Sequence, residues 1–119
     1  MPVAMVGSFS LHKVIEQSAS FSLNTDDHPP GTLIRMTNTA AATLTVPQDS
    51  TYDFPVGGTI RIIRTVTGSG GQITVAAGGG NTVRFGGANR DNLNGQWAMG
   101  TLIKIAANEW VFTGDTSST

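Results

Sequence analysis

The residues that could carry nucleophilic or acid–base chemistry in this chain are few and far apart. Its histidines are His12 and His28, and a hydrolytic triad needs a nucleophile, a base and an orienting acid that meet in space. The Gly-Ser-Gly sequence at 68–70 resembles a nucleophile elbow but lacks the strand-to-helix context of one. We interpret it as a hairpin turn and expect no catalytic residue in this chain.

Metal and phosphate sites are not predicted either. His28 follows Asp26 and Asp27, which lack the spaced oxygen ligands of a calcium loop, so a solvated loop is favoured over metal binding. The glycine run at 78–80 is followed by neither Lys-Ser/Thr nor a predicted helix, so it is not a phosphate loop. The chain has no cysteine, which excludes disulfides and thiolate ligands. We therefore expect no cofactor.

Paired carboxylates could in principle hydrolyse a glycoside. The candidates are Asp49, Asp53, Asp91, Glu109 and Asp115. Most of them fall at turns and strand ends, where carboxylates cap and solvate the chain. The sequence therefore predicts a protein that is not an enzyme.

Aromatic and basic side chains indicate binding instead. Trp97 follows a loop, and with Tyr52 it could stack on a sugar ring, whereas Trp110 in an alternating strand is predicted to pack in the core. Three arginines lie on predicted strands beside apolar residues, where a planar guanidinium suits a subunit interface. These inter-subunit candidates are Arg61, Arg64 and Arg84.

The composition indicates how such residues are positioned. Fifteen glycines and sixteen threonines make up about a quarter of the 119 residues, and charged residues are 13%, against roughly 25% in typical soluble proteins. That mixture argues against a helical bundle, a coiled coil or a charged disordered tail. A chain of this length most simply forms one domain.

Short alternating or β-branched runs between glycine, proline and asparagine turns predict eight or nine strands. We expect an all-β fold, specifically a single antiparallel β-sandwich or a barrel-like, jelly-roll-like domain over residues 19–115. Residues 1–18 would form an N-terminal arm and residues 116–119 a flexible tail. Two glycine-rich turns, each followed by a strand, hint at a repeat, but two unevenly spaced copies are too few to predict a solenoid.

The arm has two interpretations. Ser10 could cap a short helix with Leu11, Val14 and Ile15 on one face, or the β-branched pair could begin a strand. The arm could pack on its own domain or dock on another chain, and these four residues are the docking candidates.

Charge and hydropathy exclude two kinds of partner. The net charge is −1, the sequence pI is about 6.0, and no basic stripe for nucleic acid is visible. No apolar run reaches the roughly 20 residues that a membrane-spanning helix needs. The first ten residues also lack the pattern of a secretory signal.

One residue pattern extends over about four-fifths of the chain. Its pieces, in order, are TLTVP (43–47), FPVG (54–57), TIRI (59–62), GQITVAAG (71–78), GQ (95–96), TLIKI (101–105) and NEWVFTGD (108–115). In this pattern the stretch from 19 to 115 resembles a small β domain that recurs in virion proteins of tailed bacteriophages. The closing Leu-Ile-Lys, Glu-Trp and Gly-Asp combination is its most specific part.

The resemblance implies a structural protein without enzymatic activity. Such domains form capsid decoration (cement) proteins, head spikes and the distal ends of tail fibres, and they are typically homotrimers. Because about 18 residues precede the resembling stretch, we expect a stand-alone decoration protein rather than a fibre tip. It would be made in the host cytoplasm and bind the major capsid protein on the outside of the head, which it would stabilise. The alternative is a tail-fibre or baseplate tip that binds a host-surface glycan through Trp97 and Tyr52.

Overall fold

Two β-sheets account for nearly all regular structure in the computed structural model, which describes residues 13–86 and 90–117. The strands are β1 Val14–Gln17, β2 Phe21–Ser22, β3 Leu33–Met36, β4 Ala42–Val46, β5 Thr59–Arg64, β6 Ile73–Ala77, β7 Thr82–Phe85, β8 Asn92–Leu93, β9 Met99–Ala106, β10 Glu109–Gly114 and β11 Thr116–Ser117. One 3₁₀ turn covers Ser69–Gly71. The prediction of an all-β fold is confirmed.

The strands divide between a six-stranded and a five-stranded sheet. Sheet one has the order β1-β3-β5-β9-β10-β7, and sheet two has the order β11-β8-β6-β4-β2. Strands β1, β3 and β5 run parallel to one another, as do β2, β4 and β6. Antiparallel pairs join β5 to β9, β9 to β10, β6 to β8 and β8 to β11, and β7 runs parallel to β10. Both sheets are therefore mixed.

From β1 to β6 the chain winds in coils, each of which gives one strand to each sheet, as in a β-solenoid. Register links equivalent positions of successive coils, such as Val14, Leu33 and Arg61 in sheet one. The prediction of an antiparallel arrangement is wrong for these strands, and so is the argument against a solenoid. Side chains alternate in the same way in parallel and antiparallel strands. Strands β1, β3 and β5 begin at residues 14, 33 and 59, a spacing too uneven to show the repeat.

The core lies between the inner sides of the two sheets. It is lined by buried side chains from both, among them Ile34, Ile62, Leu102 and Phe112 of sheet one and Leu44, Ile73 and Val75 of sheet two. Trp110 is 1% exposed and meets Phe54 edge to face, with ring centroids 5.4 Å apart, which confirms its predicted core position. Burial of each such side chain contributes about 1.5–3 kcal/mol.

The N-terminal segment follows one of its two interpretations, whereas the C-terminal tail differs from its prediction. Val14–Gln17 is a strand paired with β3, so this part of the predicted arm forms the edge of sheet one, and the helical interpretation is wrong there. Ser10 and Leu11 lie outside the described residues. Thr116–Ser117 pairs with Asn92–Leu93, so the tail is not frayed at these residues. Hydrogen bonds between Asp115 and the backbones of Met99 and Asn94 hold the chain in place just before this pairing.

Candidate functional site

The outer side of sheet one, which points away from the core, is rich in aliphatic side chains. We call this surface the aliphatic face; its apolar members are Val14, Leu33, Ile63, Met99, Ile103, Ile105 and Val111. Val14 is 65% exposed, Ile105 46% and Met99 38%. Exposed apolar patches of this kind mark sites of association.

Strand alternation explains how the aliphatic face arises. In β5, Ile60, Ile62 and Arg64 are buried on the inner side, which turns Arg61 and Ile63 outward. The strand thus carries aliphatic residues on both sides, a pattern typical of strands covered on both faces. In the described part of the chain only the inner side of β5 is covered.

Arg61 stands near the middle of the aliphatic face. Its neighbours in register are Leu33 on β3 and Thr101 on β9. Among the residues that the structure describes, no carboxylate forms an ion pair with Arg61. Its predicted role in an inter-subunit contact stays a prediction, in a position that suits it.

Two exposed ion pairs flank the aliphatic face. Arg35 of β3 pairs with Glu16 of β1, and Arg84 Nε of β7 lies 2.6 Å from Glu109 Oε2 of β10. Exposed pairs of this kind are worth about 0–1 kcal/mol. Arg84 thus has a partner within its own chain, and its contact with another subunit remains a prediction.

The structure does not support an inter-subunit role for Arg64. Its side chain is buried on the inner side of β5, and the guanidinium donates to the carbonyl oxygens of Val66 (3.0 Å), Leu93 (3.1 Å) and Gly68 (2.5 Å). All three contacts lie within the chain. Arg64 follows Ile60 and Ile62 at a spacing of two, and this alternation is the sequence signal that predicts an inward side chain.

Lys104 is a buried cation that is not among the predicted site residues. It is 2% exposed, and its Nζ donates to Asp49 Oδ1 (2.8 Å), Asp53 Oδ1 (3.1 Å) and the carbonyl oxygen of Phe54 (2.6 Å). Burial lowers the pKa of Lys104, but hydrogen bonds and charges from the two aspartates outweigh burial, and the pKa is raised above its ordinary value. The hydrogen bond from Lys104 lowers the pKa of Asp49. Lys104 follows the apolar Leu102 at a spacing of two, and in an alternating strand this spacing indicates that both side chains point inward.

The Lys104 cluster lies in an open cleft of about 540 Å³. The cleft is lined by Asp49, Asp53, Phe54, Pro55, Val56, Lys104 and Ala107. All three Nζ protons of Lys104 are used within the chain, and Asp49 also exchanges hydrogen bonds with Asn108. The cluster thus ties the loop before β5 to the β9–β10 turn. Asp49 is therefore not the freely solvated turn carboxylate that we expected.

The two aromatic candidates for ligand stacking lie at opposite ends of β9. Tyr52 belongs to the loop that contacts Lys104 near the end of β9. Trp97 lies beside the start of β9, where its backbone N–H donates to the carbonyl oxygen of Arg64 at 2.6 Å. Trp97 is 61% exposed and has a φ of 71°, an uncommon backbone conformation for a residue other than glycine. The two rings cannot sandwich one sugar.

His28 is buried rather than solvated, which corrects the prediction for this loop. Its Nδ1 accepts the N–H of Asn24 at 3.1 Å, and its ring lies 5.2 Å from the Phe21 ring. Burial is the main reason why the pKa of His28 lies below its ordinary value. Within residues 13–86 and 90–117, no group of three or more metal-ligating side chains comes together.

The outer side of sheet two carries small, mainly hydroxyl-bearing side chains. They are Ser22, Thr43, Thr45, Thr74 and Ala76. Thr74 Oγ1 donates to Asn92 Oδ1 at 2.7 Å. We call this surface the threonine face.

No protein-family model matches this sequence, and no curated protein matches it. The resemblance to phage virion domains therefore remains a prediction from the residue pattern. In the part of the chain that the structure describes, no helix is long and apolar enough to span a membrane.

Proposed function

We propose that this protein is a structural component of a bacteriophage particle, a capsid decoration protein that assembles as a homotrimer on the outside of the head and stabilises it. The observation that carries the proposal is the aliphatic face of sheet one. A β-unit whose outer side carries seven apolar side chains, three of them exposed, is suited to association.

The energetics of the aliphatic face support self-association. Full burial of an aliphatic side chain contributes about 1.5–3 kcal/mol, and seven such side chains lie on this face in various degrees of exposure. Association costs about 4–15 kcal/mol in lost freedom of motion. Burial of several of these side chains together offsets a cost of that size.

The contacts of the buried charged side chains, all of which are made within the chain, also support a structural role. Lys104, Arg64 and Asp49 have the charge and burial often found in active sites, yet each is bound to groups of its own chain. Their contacts hold loops against strands. Stabilisation of a shell then follows from mass action, because a protein that binds only the assembled state shifts the equilibrium towards it.

A second candidate function is a glycan-binding tip of a tail fibre or baseplate. The exposed indole of Trp97 favours it, because hydrogen bonds fix the backbone that presents the ring. Such a site would use Trp97 without Tyr52.

Copy number and position on the particle test the proposal. Quantitative mass spectrometry of purified particles should find hundreds of copies, and imaging should place them on the head. Heads that lack the protein should release DNA at a lower temperature. A handful of copies on the tail, with an unchanged head and lost adsorption, would favour the glycan-binding tip. Absence from the particle would overturn both.

A further inference from the structure

We infer that the aliphatic face of one copy receives the acidic loop at residues 24–28 of a second copy, so that the copies join face to loop. This inference rests on the proposed self-association and names the surfaces that make it. It follows from the positive charge of Arg61 at the middle of the aliphatic face and from the exposed carboxylates that contact no lysine or arginine of their own chain.

The first step concerns Arg61. A partner that covers the aliphatic face also removes Arg61 from water, because Leu33, Ile63 and Thr101 surround it on the same side of the sheet. A buried guanidinium is costly unless a carboxylate pairs with it. The partner must therefore bring an acidic side chain to this position.

The second step concerns the simplest dimer. In a two-fold contact of one aliphatic face with another, residues near the axis meet their own copies. Arg61 lies in the third strand of six and near the middle of that strand, so two guanidinium groups would meet. A two-fold dimer with its axis near Arg61 is therefore disfavoured, and a different surface of the second copy suits the contact better.

The third step identifies that surface. Four of the eight described carboxylates contact a lysine or arginine: Glu16 with Arg35, Asp49 and Asp53 with Lys104, and Glu109 with Arg84. Asp91 and Asp115 are single carboxylates that accept hydrogen bonds from Asn92 and Asn94. Asp26 and Asp27 are exposed, adjacent and in contact with no lysine or arginine in the described residues.

Hydrogen bonds fix the backbone of the loop that carries these two carboxylates. Asn24 Oδ1 accepts the N–H groups of Asp26 (3.1 Å) and Asp27 (2.7 Å), and Asn24 O accepts the N–H of His28 (2.9 Å). Little conformational entropy remains to be lost when such a loop binds. A face-to-loop contact uses two different surfaces, and it closes into a ring of three when successive copies are related by a third of a turn.

Charge reversal tests this contact. Sedimentation velocity over a concentration series would compare the parent chain with Arg61→Glu, with Asp26→Lys/Asp27→Lys, and with all three substitutions together. Each reversal alone should weaken association at least about tenfold, and the triple variant should recover most of the loss. Asp115→Lys is the control: it reverses one exposed carboxylate elsewhere on the surface, half of the charge change in the loop variant, and should associate like the parent.

The outcomes separate this contact from the proposed function. If the parent associates but the reversals leave association unchanged, or the triple variant recovers nothing, the face-to-loop contact is wrong while self-association stands. If Asp115→Lys weakens association as much as the loop variant does, the contact is likewise wrong. If the parent chain stays monomeric at every concentration, self-association itself fails. Thermal unfolding of each variant verifies that it is folded.

Discussion

The outer sides of the two sheets face away from the same core, yet they carry different side chains. The aliphatic face presents valine, leucine, isoleucine and methionine around Arg61, whereas the threonine face presents serine, threonine and alanine. Strands β1 to β6 contribute to both faces through the same coils, and the antiparallel strands β9 and β10 extend the aliphatic face alone. Side chains alternate in all of these strands, so backbone geometry does not explain the difference. Alternation decides which residues point outward, and the identity of those residues indicates whether they meet water or a partner.

The largest expected effect is on the free energy of unfolding, and it distinguishes a substitution on the inner side of sheet one from substitutions on the two outer faces. Lys104→Met should lower the free energy of unfolding by about 3–5 kcal/mol, because Asp49 and the Phe54 carbonyl lose their buried partner. Thr45→Lys and Ile63→Lys, on the two outer faces, should each change it by less than about 1 kcal/mol. Denaturant titration at a protein concentration below self-association checks all three variants, because association would itself add to the apparent stability. A comparable loss in all three would mean that the outer faces belong to the folded core.

The next effect distinguishes the two outer faces from each other. Ile63→Lys should weaken self-association by about 2 kcal/mol or more, roughly thirtyfold, because it places a charge in the apolar contact. Thr45→Lys, the matched change on the threonine face, should leave association as it is. Sedimentation equilibrium measures both. If Thr45→Lys dissociates the protein and Ile63→Lys does not, the assignment of the two faces is reversed.

A smaller effect concerns pH at the edge of sheet two, where His28 packs on Phe21 of β2. Folding lowers the pKa of His28, so protons bind the unfolded chain more readily. Stability should be complete above the ordinary pKa near 6.5 and should fall as the pH drops below it, by at most about 1.4 kcal/mol per pH unit. His28→Gln should flatten the profile between pH 6.5 and 5, as measured by denaturant titration. An unchanged profile would assign the pH dependence to other groups.

The smallest effect lies at the edge of the aliphatic face. Glu109→Gln removes the exposed ion pair with Arg84 and should change the free energy of unfolding by no more than about 0.5 kcal/mol. Thermal unfolding at low and high salt checks this value. A larger loss of unfolding free energy that does not depend on salt would show that the Glu109–Arg84 pair contributes to folding.

Much of the fold was predictable because short β-branched runs and glycine turns act locally. The core position of Trp110 followed from alternation alone. The parallel winding was not predictable, because it depends on which strands pair, and unequal loops hide the register. Arg64 and Lys104 were missed as buried cations because charged residues were assumed to be outside, although both follow buried isoleucine or leucine at a spacing of two. Thr116–Ser117 pairs through backbone groups, which side-chain patterns do not reveal.

The most direct test of the central claim uses the absence of cysteine from this chain. Thr101→Cys places one thiol on the aliphatic face, and Thr45→Cys places one on the threonine face at a similarly half-buried threonine. The rate of maleimide labelling would be followed as the protein concentration is raised through association. Labelling at position 101 should slow at least about tenfold while labelling at position 45 stays constant. Equal rates at both positions, or protection at position 45 alone, would contradict the claim that the aliphatic face is the buried one.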